Sequence, residues 1–274
     1  MNRTMNVMRT GIVLACAVIV AAQCNGGIPV ATPPAEAPQA GAVPPFIEDL
    51  VAANRILADQ GIVDGYGHVS VRHPDNPNHF FLSRSIAPEL VVADDILELD
   101  LDSNVLDERG RTSYQERFIH GEIYKQRPDV QAVVHMHVPS VIPFSTSQVP
   151  LRPMFHMSAF VGQGVPVFEI RDAAGMTNML VSKPAIGSAL AETLGNKPAA
   201  LMRGHGAVVV GPSLRVAVGR AIYLAINASM QSQAIALGGP ITYLAPEEVR
   251  LTGEPDNYER AWMLWRRKAL LGKD

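Results

Sequence analysis

A mixed α/β single domain is what this sequence predicts, and two patterns carry the prediction. Helical and strand-like runs alternate along the chain, and many of the strand-like runs follow one another at hairpin spacing. Size permits it: 274 residues, 47% of them hydrophobic, can bury a full core as one large domain.

The elements follow in order. FIEDLVAANRILADQGI places Phe46, Leu50, Ala53, Leu57 and Ala58 on one helical face, and Gly61 ends the helix. HVSVR, HFFLS and ILELD read as short strands, separated by turn clusters such as HPDNPN. YQERFIHGEIYKQRP predicts a helix that Pro128 cannot continue, because proline lacks the N–H and clashes with the preceding turn. VQAVVHMH is a strand. IGSALAETLG, AALMR, GHG and AVVVG then read as helix, strand, turn and strand. SLRVAVGRAIYLAINASMQSQAIALG is a long helix whose small residues on one face suit close packing on a sheet, and EEVRLTG and NYERAWMLWRRKALL close the chain as helices. No internal repeat is present.

Ahead of this body, Arg3 and Arg9 precede an uncharged apolar run from Gly11 to Ala22 that ends in small residues, the build of a secretory signal peptide over residues 1–22. The run is short of the roughly 20 apolar residues a membrane span needs. Residues 23–44, rich in Pro, Ala and Gly, read as a linker, and residues 45–274 as the folded domain. Cys24 admits a lipoprotein reading, but Gln23 is bulkier than the small residue expected there, so soluble export to the periplasm is preferred, with no membrane association after signal removal. A formal net charge of −3 without a basic stripe argues against nucleic acid as a partner.

Chemistry concentrates on histidines. In AVVHMHVPS, side-chain alternation along a strand points His135 and His137 the same way. Such a pair is either a metal site in part or a solvent-facing polar pair at a strand end. His205 sits between Gly204 and Gly206, which let the backbone turn tightly and be approached closely. Glu116 and His120 in ERFIH are four apart on a helix feeding the HMH strand. Three neutral imidazoles with one open coordination position make a catalytic metal site, and a nearby carboxylate supplies a base or a further ligand.

ERFIHGEIYKQRPDVQAVVHMHVPS followed by ALMRGHGAVVVG resembles the class II aldolase/adducin family, from Phe46 to about Gly238. The resemblance implies a three-layer α/β/α sandwich around a central, mainly antiparallel sheet, and a homotetramer with metal at an inter-subunit cleft. It implies that His135, His137 and His205 hold one divalent cation per subunit, zinc or manganese, and that Glu116 is the catalytic carboxylate.

The sequence also departs from the family's sugar-phosphate aldolases. His68, in GYGHVSVR, stands where asparagine is common, and Tyr114 and Gln115 replace paired serines. Arg84 lies between Ser83 and Ser85, an arginine fork flanked by hydroxyls that suits a planar carboxylate. The proton-donating tyrosine of some aldolases falls at Met157, beside His156. The pattern looks more like the family's metal-dependent decarboxylases of hydroxylated aromatic or pyridine dicarboxylates. The expectation is therefore a metal-dependent carbon–carbon lyase acting on a small molecule, with Ser83, Arg84, Ser85 and His68 binding substrate and Glu116 or His156 moving the proton. Aldol cleavage is the alternative enzyme, and an adducin-like interaction domain the non-enzymatic one.

Overall fold

The structure is a computed structural model describing residues 43–253 and 258–271. The expected signal segment, and the linker up to residue 42, lie outside the described residues. Among those described, no helix is long and apolar enough to cross a membrane.

The central sheet joins β1 (His68–Arg72), β2 (His79–Ser83), β3 (Ile96–Asp100), β4 (Ala132–Met136), β5 (Val167–Phe168), β6 (Ala199–Met202) and β7 (Gly206–Gly211) in the order β3-β2-β1-β4-β7-β6-β5. Every pairing is antiparallel except β5 with β6. β4 and β7 run through the middle and are buried along their whole length. Their unbroken valine-rich sequences reflect this, since a strand covered on both faces has no polar side to alternate with.

Alternation deals the strand residues into two cores. Val69, Val134, Met136, Ala207 and Val209 face α1 (Pro45–Asp59), α6 (Leu214–Leu237) and α8 (Glu259–Leu271). Val133, Val208 and Val210 face α2 (Phe118–Gln126) and α5 (Pro184–Leu194). Each fully buried valine or leucine contributes about 1.5–3 kcal/mol of transfer free energy. The expected α/β/α sandwich is thus the observed one. The small face of α6 (Ala217, Ala221, Ala225 and Ala228) lies buried in the first core, and Ser213 caps its start by accepting the Val216 N–H at 3.3 Å. Short helices α3 (Ile142–Thr146), α4 (Ile170–Ala174) and α7 (Pro246–Thr252) fill the connections.

One element differs from expectation. The helix predicted from Tyr114 onward is broken: residues Gln115–Arg117 form a 3-10 turn, with Glu116 at φ −88°, ψ 16°, before α2 begins at Phe118. Glu116 and His120 therefore do not act as one helical pair.

Candidate metal centre

The end of β4 meets the β6–β7 turn on the α2/α5 side of the sheet. Gly204 adopts φ +63°, a left-handed conformation that side chains resist, and this lets the His205 N–H reach back to the Met202 carbonyl at 3.0 Å. A Cβ on Gly206 would overlap the Met136 carbonyl oxygen, so only glycine lets this turn close onto the HMH segment. Both glycines around His205 thus have separate steric reasons.

Glu116, His135, His137 and His205 each offer one donor atom, and the four atoms lie within 4.8 Å of one another. His137 Nε2 is 3.1 Å from His205 Nε2, and Glu116 Oε2 is 3.4 Å from His135 Nε2 and 3.6 Å from His205 Nε2. Metal–ligand bonds of about 2.0–2.2 Å in a tetrahedron set neighbouring donors about 3.4 Å apart. The donor set fits a divalent cation on a second ground: His135 Nε2 is fully buried with no hydrogen-bond partner, a costly condition unless a ligand occupies it.

The backbone fixes which nitrogens converge. His135 Nδ1–H donates to the Ala207 carbonyl at 3.2 Å and His205 Nδ1–H to the Met179 carbonyl at 3.0 Å, leaving each Nε2 lone pair free. His137 Nδ1 faces Asp64 at 3.9 Å. Burial, with the neighbouring His135 and His205, pushes the His137 imidazole down to about 4, so it is neutral and ligand-competent at pH 7. Burial works against the charged carboxylate of Glu116, but the adjacent imidazoles of His135 and His205 outweigh it and hold the group well below the usual carboxylate range. Its other oxygen accepts the Val181 N–H at 2.9 Å, which locks the side chain.

Beside the cluster opens a cavity of about 420 Å³ lined by Tyr66, His68, Ser85, Tyr114, Gln115, Glu116, His137 and Leu180. A cavity of about 480 Å³ near Arg109 and Arg111 holds none of the clustered histidines. Of the residues expected to touch substrate, His68 and Ser85 line the first cavity. Ser83 is buried behind it, 3.2 Å from the Tyr114 hydroxyl, which itself donates to the Ile86 carbonyl. Two other expected residues are not brought to this cavity within one chain. Arg84 is not among the lining residues and is engaged by Asp95 at 2.6 Å, as alternation along the segment would place it opposite to its serine neighbours. His156 is exposed, next to Phe155, whose ring packs 6.2 Å from Tyr223 of α6, so within this chain it belongs to the opposite layer from the cluster.

His120 does not join the cluster either. His68 Nδ1 lies 2.7 Å from His120 Nε2, His120 Nδ1 lies 2.6 Å from Ser70 Oγ, and Ser70 Oγ lies 2.8 Å from the Tyr124 hydroxyl. Burial pushes His120 down to about 3 and, with the proximity of His120 and His135, lowers His68 well below its ordinary value. Ser70 and Tyr124 escaped sequence reasoning. The signal was there: Ser70 is the one hydroxyl in HVSVR that shares a face with His68, while Tyr124 is four residues beyond His120.

A three-histidine, one-carboxylate cluster at the edge of an α/β/α sandwich defines a class II aldolase-type protein. The chain belongs to the class II aldolase and adducin family, whose N-terminal domain profile matches residues 48–232. Decarboxylase tropJ of Talaromyces stipitatus is 35% identical over 251 residues, spanning 82% of this chain and 94% of that protein. The 3,4-dihydroxyphthalate decarboxylase of Arthrobacter keyseri is 30% identical over 233 residues, 78% of this chain and 90% of that enzyme. Among solved structures, L-fuculose 1-phosphate aldolase from Glaciozyma antarctica superposes with a TM-score of 0.69 at 25% identity, covering 87% of this chain and 96% of that one. The chain is accordingly a lyase of this family.

Proposed function

We propose that this lyase is a divalent-metal-dependent decarboxylase of a small hydroxylated aromatic carboxylate. The observation that carries the reading is the cavity wall: Tyr66, Tyr114 and Leu180 offer flat and apolar surface, and neither lysine nor arginine is among the lining residues. An aromatic ring fits such a wall, whereas the small hydroxyl groups that would cradle a phosphate are reduced to Ser85. The similarity to decarboxylase tropJ and to the dihydroxyphthalate decarboxylase supports the same choice.

His135, His137 and His205, with Glu116 beside them, would hold the cation, either zinc or manganese. When bound, it supplies a Lewis acid for the oxygen that receives electrons as the bond to carbon dioxide breaks. The pocket walls orient the ring against that centre and exclude water. Glu116, held as a carboxylate, accepts the substrate hydroxyl proton and returns it to the ring carbon that loses carbon dioxide. The reading also carries export to the periplasm and a homotetramer. Intact mass of protein recovered from the periplasm and light scattering test these two.

The deciding experiment scores a panel of hydroxylated benzoates, 2-keto acids and aldols for carbon dioxide and for aldehyde, with metal content measured on the same sample. Carbon dioxide from a hydroxybenzoate, lost by about 10²–10⁴-fold in Glu116→Gln with metal retained, is the expected result. Aldehyde release without carbon dioxide would return the reaction to aldol cleavage, and a metal-free protein without turnover would leave an interaction domain.

A further inference from the structure

The buried chain His68, His120, Ser70 and Tyr124 runs from the cavity wall into the core, and its direction can be read from its ends. Its three internal hydrogen bonds can be made with more than one set of donors. In one, the Tyr124 hydroxyl donates to Ser70, Ser70 to His120 Nδ1, and His120 Nε2–H to His68 Nδ1. In any other, His120 Nδ1–H donates to Ser70, and then either the Ser70 or the Tyr124 O–H must find another acceptor although both are buried.

The far end is closed against any such alternative. Tyr124 is 1% exposed, and among the described residues its hydroxyl meets no hydrogen-bond acceptor but Ser70. The backbone group bearing on its oxygen is the Val133 amide, a donor rather than an acceptor. Arg72 covers the ring, its guanidinium carbon 4.6 Å from the centroid, and brings only donors, which are spent on the carbonyls of Val130, Pro77, Tyr124 and Arg127. Reversing the chain would bury an unpaired O–H, whereas the forward direction leaves no donor unmatched.

From this we infer that Ser70, His120 and Tyr124 are positioning residues that hold His68 in one neutral tautomer, bare at Nδ1 and protonated at Nε2. Nδ1 is committed to His120, so Nε2 is the nitrogen left for the cavity that His68 lines. The wall thus presents a fixed, uncharged N–H donor suited to an anionic substrate oxygen, a carboxylate or phenolate. This assignment of a binding partner rests on the decarboxylase reading, while the tautomer itself does not.

The tautomer is tested without substrate, by nitrogen NMR of the full chain labelled at histidine, as purified and after loading with diamagnetic zinc. The expected spectrum shows His68 and His120 each protonated at Nε2 and bare at Nδ1. A His68 protonated at Nδ1 overturns the inference whatever the enzyme's activity. His120→Phe, close in volume and lacking the donor, should leave His68 averaging between tautomers and raise KM for the hydroxybenzoate substrate about tenfold, with kcat and metal content unchanged. His120→Gln, whose amide can donate to His68 and accept from Ser70, should restore both readouts. An unaltered His68 tautomer in His120→Phe would equally overturn the assignment. Failure of the carbon dioxide assay alongside the expected spectrum would count against the decarboxylase reading alone.

Discussion

Two groups of imidazoles sit side by side on one face of the sheet, and they are wired in opposite ways. In the cluster of His135, His137 and His205, the backbone consumes two of the Nδ1–H donors and the Nε2 lone pairs point at one another. In the group of His68 and His120, both nitrogens of His120 are bonded within the protein, and only one nitrogen of His68 is left over. The His68 and His135 rings are 5.0 Å apart, so neither burial nor neighbourhood distinguishes the groups. What distinguishes them is where the hydrogen bonds end: on fixed carbonyls behind the ring, which frees a lone pair for a cation, or on another side chain, which uses it up.

The sharpest way to break this contrast is to remove a ligand. His135→Ala or His205→Ala should abolish tightly bound metal and reduce turnover to background while the circular dichroism spectrum stays native; a variant of both still carrying stoichiometric cation would erase the distinction. Next in size, His120→Ala should leave the metal in place and instead cost about 3 kcal/mol of stability, because it empties a buried ring site and strands His68 Nδ1 and Ser70. Denaturant unfolding with metal analysis on the same preparation reads both effects.

Acid should reveal the second group as well. His120 titrates near 3 in the folded protein against an ordinary value of 6.5, so between these values the unfolded chain binds the extra proton and folding loses stability as pH falls. The contribution is fully present above pH 6.5 and is lost downward at up to about 1.4 kcal/mol per pH unit. Unfolding of metal-free protein at pH 7 and pH 5 should show a slope at least this steep, since His68 and His137 are lowered too, and His120→Phe should reduce it by about one proton's share. The smallest effect belongs to Arg84→Lys. With Arg84 bound to Asp95 outside the cavity lining, KM should change by less than about threefold, the scale of a partly exposed ion pair. A tenfold rise in KM would bring Arg84 back to the substrate.

Local sequence determined much of this molecule. The strands at 68–72, 79–83, 96–100 and 206–211 and the long α6 follow from alternation, helical periodicity and a serine cap, all effects acting within a few residues. The clustered histidines were legible for the same reason: HMH puts two imidazoles on one side of a strand, and GHG marks a turn only glycines can make. Tertiary structure alone decided the partners. His120 meets His68 and Ser70 across about fifty positions of sequence, Arg84 meets Asp95, and His156 falls on the α6 layer. Such pairings depend on strand register and on how α2 is rotated over the sheet. The turn at Glu116 separates that residue from His120, placing the carboxylate beside His135 and leaving His120 to His68 and Ser70. Spacing in sequence fixes which residues share a face, but only the packing of one face against another selects which nitrogen finds a carbonyl, a hydroxyl or a cation.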